Sequence, residues 1–384
     1  MPNPNLIPLS LYIHIPWCVK KCPYCDFNSH ESRTPIDFVG YVDALLDDLK
    51  TQLSFVQGRK IASIFIGGGT PSLLPIAQYQ QLFAGIKAQL TLTHDCEITM
   101  EANPATVEHA PFHEYLAVGI NRLSLGVQSF QTQKLAALGR IHNPQQALLA
   151  IANAQQAGFK KLNVDLMHGL PNQTLTDALS DLQQAIDLGV SHISWYQLTI
   201  EPNTVFYRNT PILPDDEILV DIFEQGAQLL KANGFVQYEV SAWSRQADFQ
   251  PSQHNLNYWQ FGDYLAIGAG AHGKVTLHDG VYRFQKTRLP KDYLAKVPAE
   301  NLQFKAIAAD ELPFEFMMNG LRLKNGVPKQ FWTQRTGLAW SVIEPQLIKL
   351  HNRGLVELSG DHIHCTAQGF LFLNQVLQEF LPDD

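Results

Sequence analysis

The sequence predicts an α/β fold: a partial (β/α)6 barrel followed by a helical, winged-helix-like unit. Three observations carry this. From residue 9 to about 200, short apolar runs alternate with stretches of helical, amphipathic period, the pattern of a parallel sheet covered by helices. Every unusual polar group in that stretch follows an apolar run, at the strand ends where such barrels carry their functional loops. Beyond about residue 300 the pattern changes to helices and a hairpin.

Leu9–Ile15 reads as the first strand and leads to Cys18, Cys22 and Cys25. Thr34 as cap and Pro35 as first residue predict a helix with Phe38, Val42, Leu45, Leu49 and Leu53 as its apolar stripe. Ile61–Ile66 is a second strand, short and wholly apolar, ending in Gly67-Gly68-Gly69-Thr70-Pro71. Glu97–Met100 closes a third strand at Glu101-Ala-Asn-Pro104, and Arg122–Val127 is a fourth, running into Gln128-Ser-Phe130. Lys161–Met167, carrying Asp165, is a fifth and leads to His168-Gly-Leu-Pro171. Thr174 and Asp177 begin a helix that Gly189 ends, and His192–Ile200 is a sixth strand. In the last part, Ala306–Leu321, Pro328–Thr336 and Glu344–His351 read as helices. Leu355–Thr366 reads as a hairpin turning at Ser359-Gly-Asp361, and a final helix runs from Gln368 to Phe380. The expected partition is 1–220, 221–300 and 301–384.

The 384 residues suffice for one large domain and smaller units. A formal charge of −8, with no Lys/Arg run longer than a pair, argues against a nucleic-acid partner held through phosphates. No signal peptide and no apolar span of membrane length is evident. Five cysteines, three of them clustered, do not make a disulfide framework, which points to a reducing cytoplasm.

Cys18, Cys22 and Cys25 form a Cys-x3-Cys-x2-Cys run. Three thiolates on one loop can hold three corners of a cubane iron–sulfur cluster and leave the fourth iron open to a small molecule. The alternatives are a zinc site completed by His14 or His30, or unrelated thiols. Zinc sites favour paired Cys-x2-Cys units, and there is no second pair. Cys96 and Cys365 stand alone. The glycine run lacks the lysine of a phosphate loop, but it lets a ligand touch the backbone. Among the other strand-end groups, Glu101 can take an ammonium, Arg140 a carboxylate and Asp165 the paired hydroxyls of a ribose, with Gln128 between them. Ordinary salt bridges and caps account for them equally well on this basis.

The cysteine run followed by Gly-Gly-Gly-Thr-Pro resembles the radical S-adenosylmethionine (SAM) superfamily. The resemblance implies a [4Fe-4S] cluster whose open iron takes the amine and carboxylate of SAM, and cleavage of the sulfonium to a 5′-deoxyadenosyl radical. More narrowly, nearly the whole chain resembles the oxygen-independent coproporphyrinogen III oxidase-like family. That likeness implies SAM contacts at Tyr12, Gly68, Gly69, Thr70, Glu101, Gln128, Arg140 and Asp165. Two departures separate the chain from the enzymes that oxidatively decarboxylate coproporphyrinogen III. Phe27 stands where they carry a fourth cysteine, and only seventeen residues precede Cys18.

Both departures, and His254-Asn-Leu-Asn-Tyr-Trp259, resemble instead the family's haem-chaperone branch. That implies a carrier rather than an enzyme, binding haem at His254, Tyr258 and Trp259, with His272 a second candidate ligand. An imidazole can ligate haem iron, and Tyr and Trp rings can pack on the porphyrin. The implied partners are acceptor haem proteins of respiration and an electron donor such as flavodoxin or ferredoxin. The implied place is the cytoplasm, peripherally at the membrane during delivery. The C-terminal unit is expected to be a scaffold or a docking lobe.

Overall fold

The computed structural model describes residues 2–32, 34–106, 111–358 and 360–382. The six expected strands are present: β1 (Leu9–Ile15), β2 (Ile61–Gly68), β3 (Leu92–Ala102), β4 (Arg122–Gln128), β5 (Lys161–His168) and β6 (His192–Gln197). They pair in that order, all parallel. A seventh parallel strand, β7 (Asp263–Ile267), lies on the free side of β1, with Tyr12 opposite Ala266. The sequence reading missed it because Gly262–Gly273 looks like a glycine-punctuated loop.

Antiparallel strands extend both ends. Ala242–Arg245 and Phe235–Gln237 follow β6, and His272–Leu277, Gly280–Gln285 and Gln303–Ala306 follow β7. The resulting twelve-stranded order is linear, so the sheet is a partial barrel with two edges.

Helices α1 (Phe38–Lys50), α2 (Ile76–Gln89), α3 (Phe112–Val118), α4 (Thr132–Ala137), α5 (Pro144–Gln156) and α6 (Leu175–Asp187) connect the strands in turn. Beyond β6 run α7 (Asp216–Ala232) and α8 (Gln253–Trp259). Leu11, Ile13, Ile64, Ile66, Leu125, Val164 and Leu166 share one face of the sheet and are all inaccessible to solvent, while Ser10, Ser63, Thr99 and Asn163 are buried on the other. The cap of α6 is as expected: Thr174 Oγ1 accepts from the Asp177 N–H, and Asp177 accepts from Thr174 N.

Several boundaries differ from expectation, among them the end of β6, at Gln197 rather than Ile200. α1 starts at Phe38, because the Asp37 carboxylate accepts from the Gly40 N–H at 2.9 Å and outcompetes the exposed Thr34. Leu53 falls outside α1, in a short turn. In the C-terminal lobe, Ala306 ends a strand and the helix begins only at Leu312, while the last helix breaks at Phe372 into Ala367–Leu371 and Leu373–Gln378.

The lobe otherwise matches a winged-helix-like unit. Helices Gln330–Thr336 and Glu344–Asn352 pack with a small sheet of Val327–Pro328, Val356–Glu357 and His362–Cys365. Pro328 pairs in that sheet, which delays its helix to Gln330. Ser359, in the expected turn, lies outside the described residues. The lobe's apolar core of Phe316, Met317, Trp332, Leu347 and Ile363 also takes in Phe261 and Val281, and so seats the lobe on the β7 side of the sheet.

Candidate functional site: two chambers at the strand ends

The cysteine loop leaves β1 and is clasped at both ends. Gly69 N donates to Ile15 O and Thr70 N to Trp17 O, both at 2.8 Å, which ties the loop's start to the glycine run. A Cβ on Gly69 would sit 2.4 Å from Trp17 O, so only glycine allows this approach. The loop's far end is tied to β1 by His14. Its Nε2 lies 2.9 Å from Asn28 O, and its Nδ1 lies 2.9 Å from the Tyr12 hydroxyl. His14 is therefore already engaged at both nitrogens and is no ligand for a metal here.

Cys18, Cys22 and Cys25 are half-buried and unpaired. Desolvation pushes the Cys18 and Cys25 thiols above the ordinary range, so metal loading there must displace protons. Among the described residues no three ligand-type side chains converge where a single ion would sit. A cubane spreads its thiolates over separate irons, one each, and suits this arrangement better than mononuclear zinc.

These thiols open on a chamber of about 420 Å³ walled by the strand ends. Gly68, Gly69, Thr70, Glu101, Gln128, Arg140 and Asp165 all line it. Arg140, just after α4, donates from Nη2 to Gly126 O and places Nη1 3.6 Å from Cys22 Sγ, while its buried Nε has no partner among the described residues. Asp165 accepts from Ser124 Oγ at 3.0 Å and Asn163 Nδ2 at 2.7 Å. Gln128 has φ +69° at a bulge in β4, where the pairing register with β5 shifts. That strained backbone turns its amide toward Tyr196, whose hydroxyl donates to Oε1 at 2.9 Å. The Ser129 hydroxyl and the Phe130 N–H that follow both donate to the buried Asp181 of α6.

Glu101 accepts from Gly68 N at 3.3 Å. Burial, then repulsion from Asp165, raises its pKa to about 8, and burial also raises that of Asp165. Two raised carboxyls, a guanidinium with an orphaned N–H and a glycine cradle fit a ligand with an ammonium, a carboxylate and a diol. The residues present therefore suit SAM.

A second chamber, of about 570 Å³, lies on the β7 side. It shares Asp26, Phe27, Gly68 and Glu101 with the first. Its wall is aromatic: Tyr12 and Phe65 stack at 22°, and Tyr258 meets Tyr264 at 4.3 Å between centroids. His272 and Arg288 also line it. Phe27, in the place of the missing fourth cysteine, is 60% exposed between the chambers.

Of the site residues expected from sequence, the SAM set and the cysteines come together in the first chamber, with Tyr12 on the second. The His254–Trp259 segment splits. Tyr258 lines the second chamber. His254 is 1% exposed behind it, with Nδ1 3.0 Å from Ser63 Oγ and Nε2 2.6 Å from the Tyr258 hydroxyl. Trp259 turns to the C-terminal lobe under Arg322. His168 is buried against Trp195. Sequence reading missed Tyr196, Phe65, Tyr264 and Arg288. Phe65 sits inside an apolar run, where nothing distinguishes it from core.

The Radical SAM superfamily profile matches residues 12–185, and the HemN C-terminal domain profile matches residues 307–372. The chain is 52% identical over 380 residues to heme chaperone HemW of Escherichia coli K12, covering 99% of this chain and 100% of that one. It is 33% identical to heme chaperone HemW of Bacillus subtilis, over 97% and 99% of the two chains. Among solved structures it resembles coproporphyrinogen III oxidase (HemN) of Escherichia coli, with TM-score 0.82 and 24% identity over 97% of this chain and 90% of that one. At that identity the likeness speaks for the fold.

Proposed function

The chain belongs to the radical SAM superfamily, in its HemW family, and on that premise we propose that it is a haem chaperone. The observation that carries the reading is the pair of chambers with one shared wall. One is polar and ends on three thiols; the other is aromatic and carries an imidazole and a guanidinium. A carrier that holds haem beside a SAM-ligated cluster needs both compartments.

In this reading Cys18, Cys22 and Cys25 hold a [4Fe-4S] cluster, which supplies an open coordination position and one-electron chemistry. Glu101 takes the amine of SAM and Arg140 its carboxylate. Asp165, fixed by Ser124 and Asn163, takes the ribose hydroxyls, with Gly68, Gly69, Thr70 and Gln128 completing the site and Tyr12 reaching it from the side of the second chamber. Haem occupies the second chamber. Tyr258 forms its wall, His254 orients the Tyr258 hydroxyl, and Trp259 anchors the segment to the C-terminal lobe.

The partition 1–220, 221–300 and 301–384 then describes tasks: cluster and SAM, haem, and docking. The acceptors are haem proteins of respiration, the electron donor is a flavodoxin or ferredoxin, and the work is done in the cytoplasm or at the membrane face. No helix among the described residues is long and apolar enough to cross a membrane.

The test is anaerobic reconstitution, titration with haem, and transfer to an apo-acceptor with and without SAM. Saturable binding and transfer are expected. Haem binding no better than to an unrelated acidic protein would end this reading.

A further inference from the structure

We propose that the second chamber binds haem with its iron on His272 and a propionate on Arg288; this rests on the haem-chaperone reading and deepens it. His272 opens the strand His272–Leu277 and is exposed, and among the described residues no hydrogen bond or ion pair engages its ring. Arg288 is also exposed and has no carboxylate partner among them, in a chain of charge −8. Its neighbour Arg283 is already used, donating to Glu315 and to the Tyr264 hydroxyl. A free imidazole and a free guanidinium thus share one rim of the chamber, with Tyr12, Phe65, Tyr258 and Tyr264 along its wall.

Iron porphyrin asks for these three groups: aromatic faces for the macrocycle, a nitrogen donor for the iron, and a planar cation for a propionate. The volume of about 570 Å³ falls within the roughly 300–1,000 Å³ of small-molecule sites.

His254 is the poorer ligand in this arrangement. Both its nitrogens are engaged: freeing Nε2 would break the bond to the Tyr258 hydroxyl, and freeing Nδ1 would leave Ser63 with Ser10 alone. The rim is also coupled to the cysteine loop. Asn28 Nδ2 donates to Ala269 O and Arg288 O, and a Cβ on Gly270 would lie 2.0 Å from that same nitrogen. Any shift of the cysteine loop is therefore felt two residues from His272.

The test uses the full-length protein titrated with hemin and, separately, with hemin dimethyl ester, which lacks free propionates. His272→Ala is expected to weaken hemin binding at least tenfold and shift the Soret band, with added imidazole restoring the band. Arg288→Gln is expected to weaken hemin at least fivefold and leave the ester unchanged. Thermal melts of each variant check the fold.

A His272→Ala protein with wild-type Soret position and affinity overturns the assignment, most directly if His254→Ala then loses the band. Loss of hemin and ester alike in Arg288→Gln overturns the propionate contact. If the wild-type protein itself fails to bind hemin, the haem-chaperone reading falls as well, so the two failures are told apart.

Discussion

At Cys22 the thiol lies 3.6 Å from Arg140 Nη1, so the middle thiol of the loop, proposed as a cluster ligand, also meets the guanidinium proposed for SAM. Cys22→Ser should abolish cluster absorption after reconstitution while the hemin Soret band survives; iron and sulfide retained at wild-type content would sink the ligand assignment. Glu101 makes a pH prediction. Its folded pKa of about 8 lies above the ordinary 4.5, through burial first and then Asp165. The stability that the protonated form gives is full below about 4.5 and is lost as pH rises through 8. Urea unfolding of the unloaded protein at pH 6 and 8.5 should show this drop in the wild type and a smaller one in Glu101→Gln. The same variant should bind SAM more weakly, because a neutral amide cannot match an ammonium. The cysteine run and the glycine run were legible because each is a few consecutive residues, whereas Tyr12, Glu101, Gln128, Arg140 and Asp165 were assigned to SAM only through the family resemblance. Phe65 and Tyr264 were not legible, since an aromatic residue on a buried strand looks the same in core and in cavity wall.

Among the elements, the β2 end and the cysteine loop act as one piece. Gly69→Ala forces its Cβ against Trp17 O at 2.4 Å, a backbone atom that cannot swing aside. The expected cost is about 1–3 kcal/mol, with weaker SAM binding, read from thermal melts and titration. Gly280→Ala is the control: its Cβ would meet Tyr282 at an ordinary 3.7 Å and should change neither. Six strands and the α6 cap were readable because periodicity and capping are local. The start of α1 was misplaced by three residues, since Thr34 and Asp37 both offer a cap and only the fold decides which one is used. β7 was invisible because its pairing partner, β1, lies some 250 residues away in the chain.

For the whole molecule, Phe261 joins the sheet to the core of the C-terminal lobe. It is 1% exposed, packs on Phe316 at 5.4 Å, and lies under Lys274 Nζ at 4.2 Å. Lys274 is in turn fixed by Asp263 of β7, which also pairs with Arg59. Phe261→Ala should cost about 3–5 kcal/mol and loosen the β7 edge that carries His272. The measurable outcome is a lower melting temperature together with weaker hemin binding at unchanged iron–sulfur content. Equal loss of both cofactors would show instead that the two chambers do not respond separately.

Alone, the sequence determined the parallel α/β core and singled out the three clustered cysteines and the ring of polar groups at the strand ends that are proposed to hold the cluster and SAM. Each strand brings its polar residue to the same end by the same local rule, so the ring follows once the strands are counted. The tertiary structure decided which side of the His254–Trp259 segment faces the second chamber. It turned Tyr258 to the chamber, His254 behind it and Trp259 to the lobe. It also joined Tyr12, Phe65, Tyr258, His272 and Arg288 into one cavity. Those residues are scattered across five segments, and only the insertion of β7 beside β1 brings them together, a long-range pairing that no local pattern in the chain encodes.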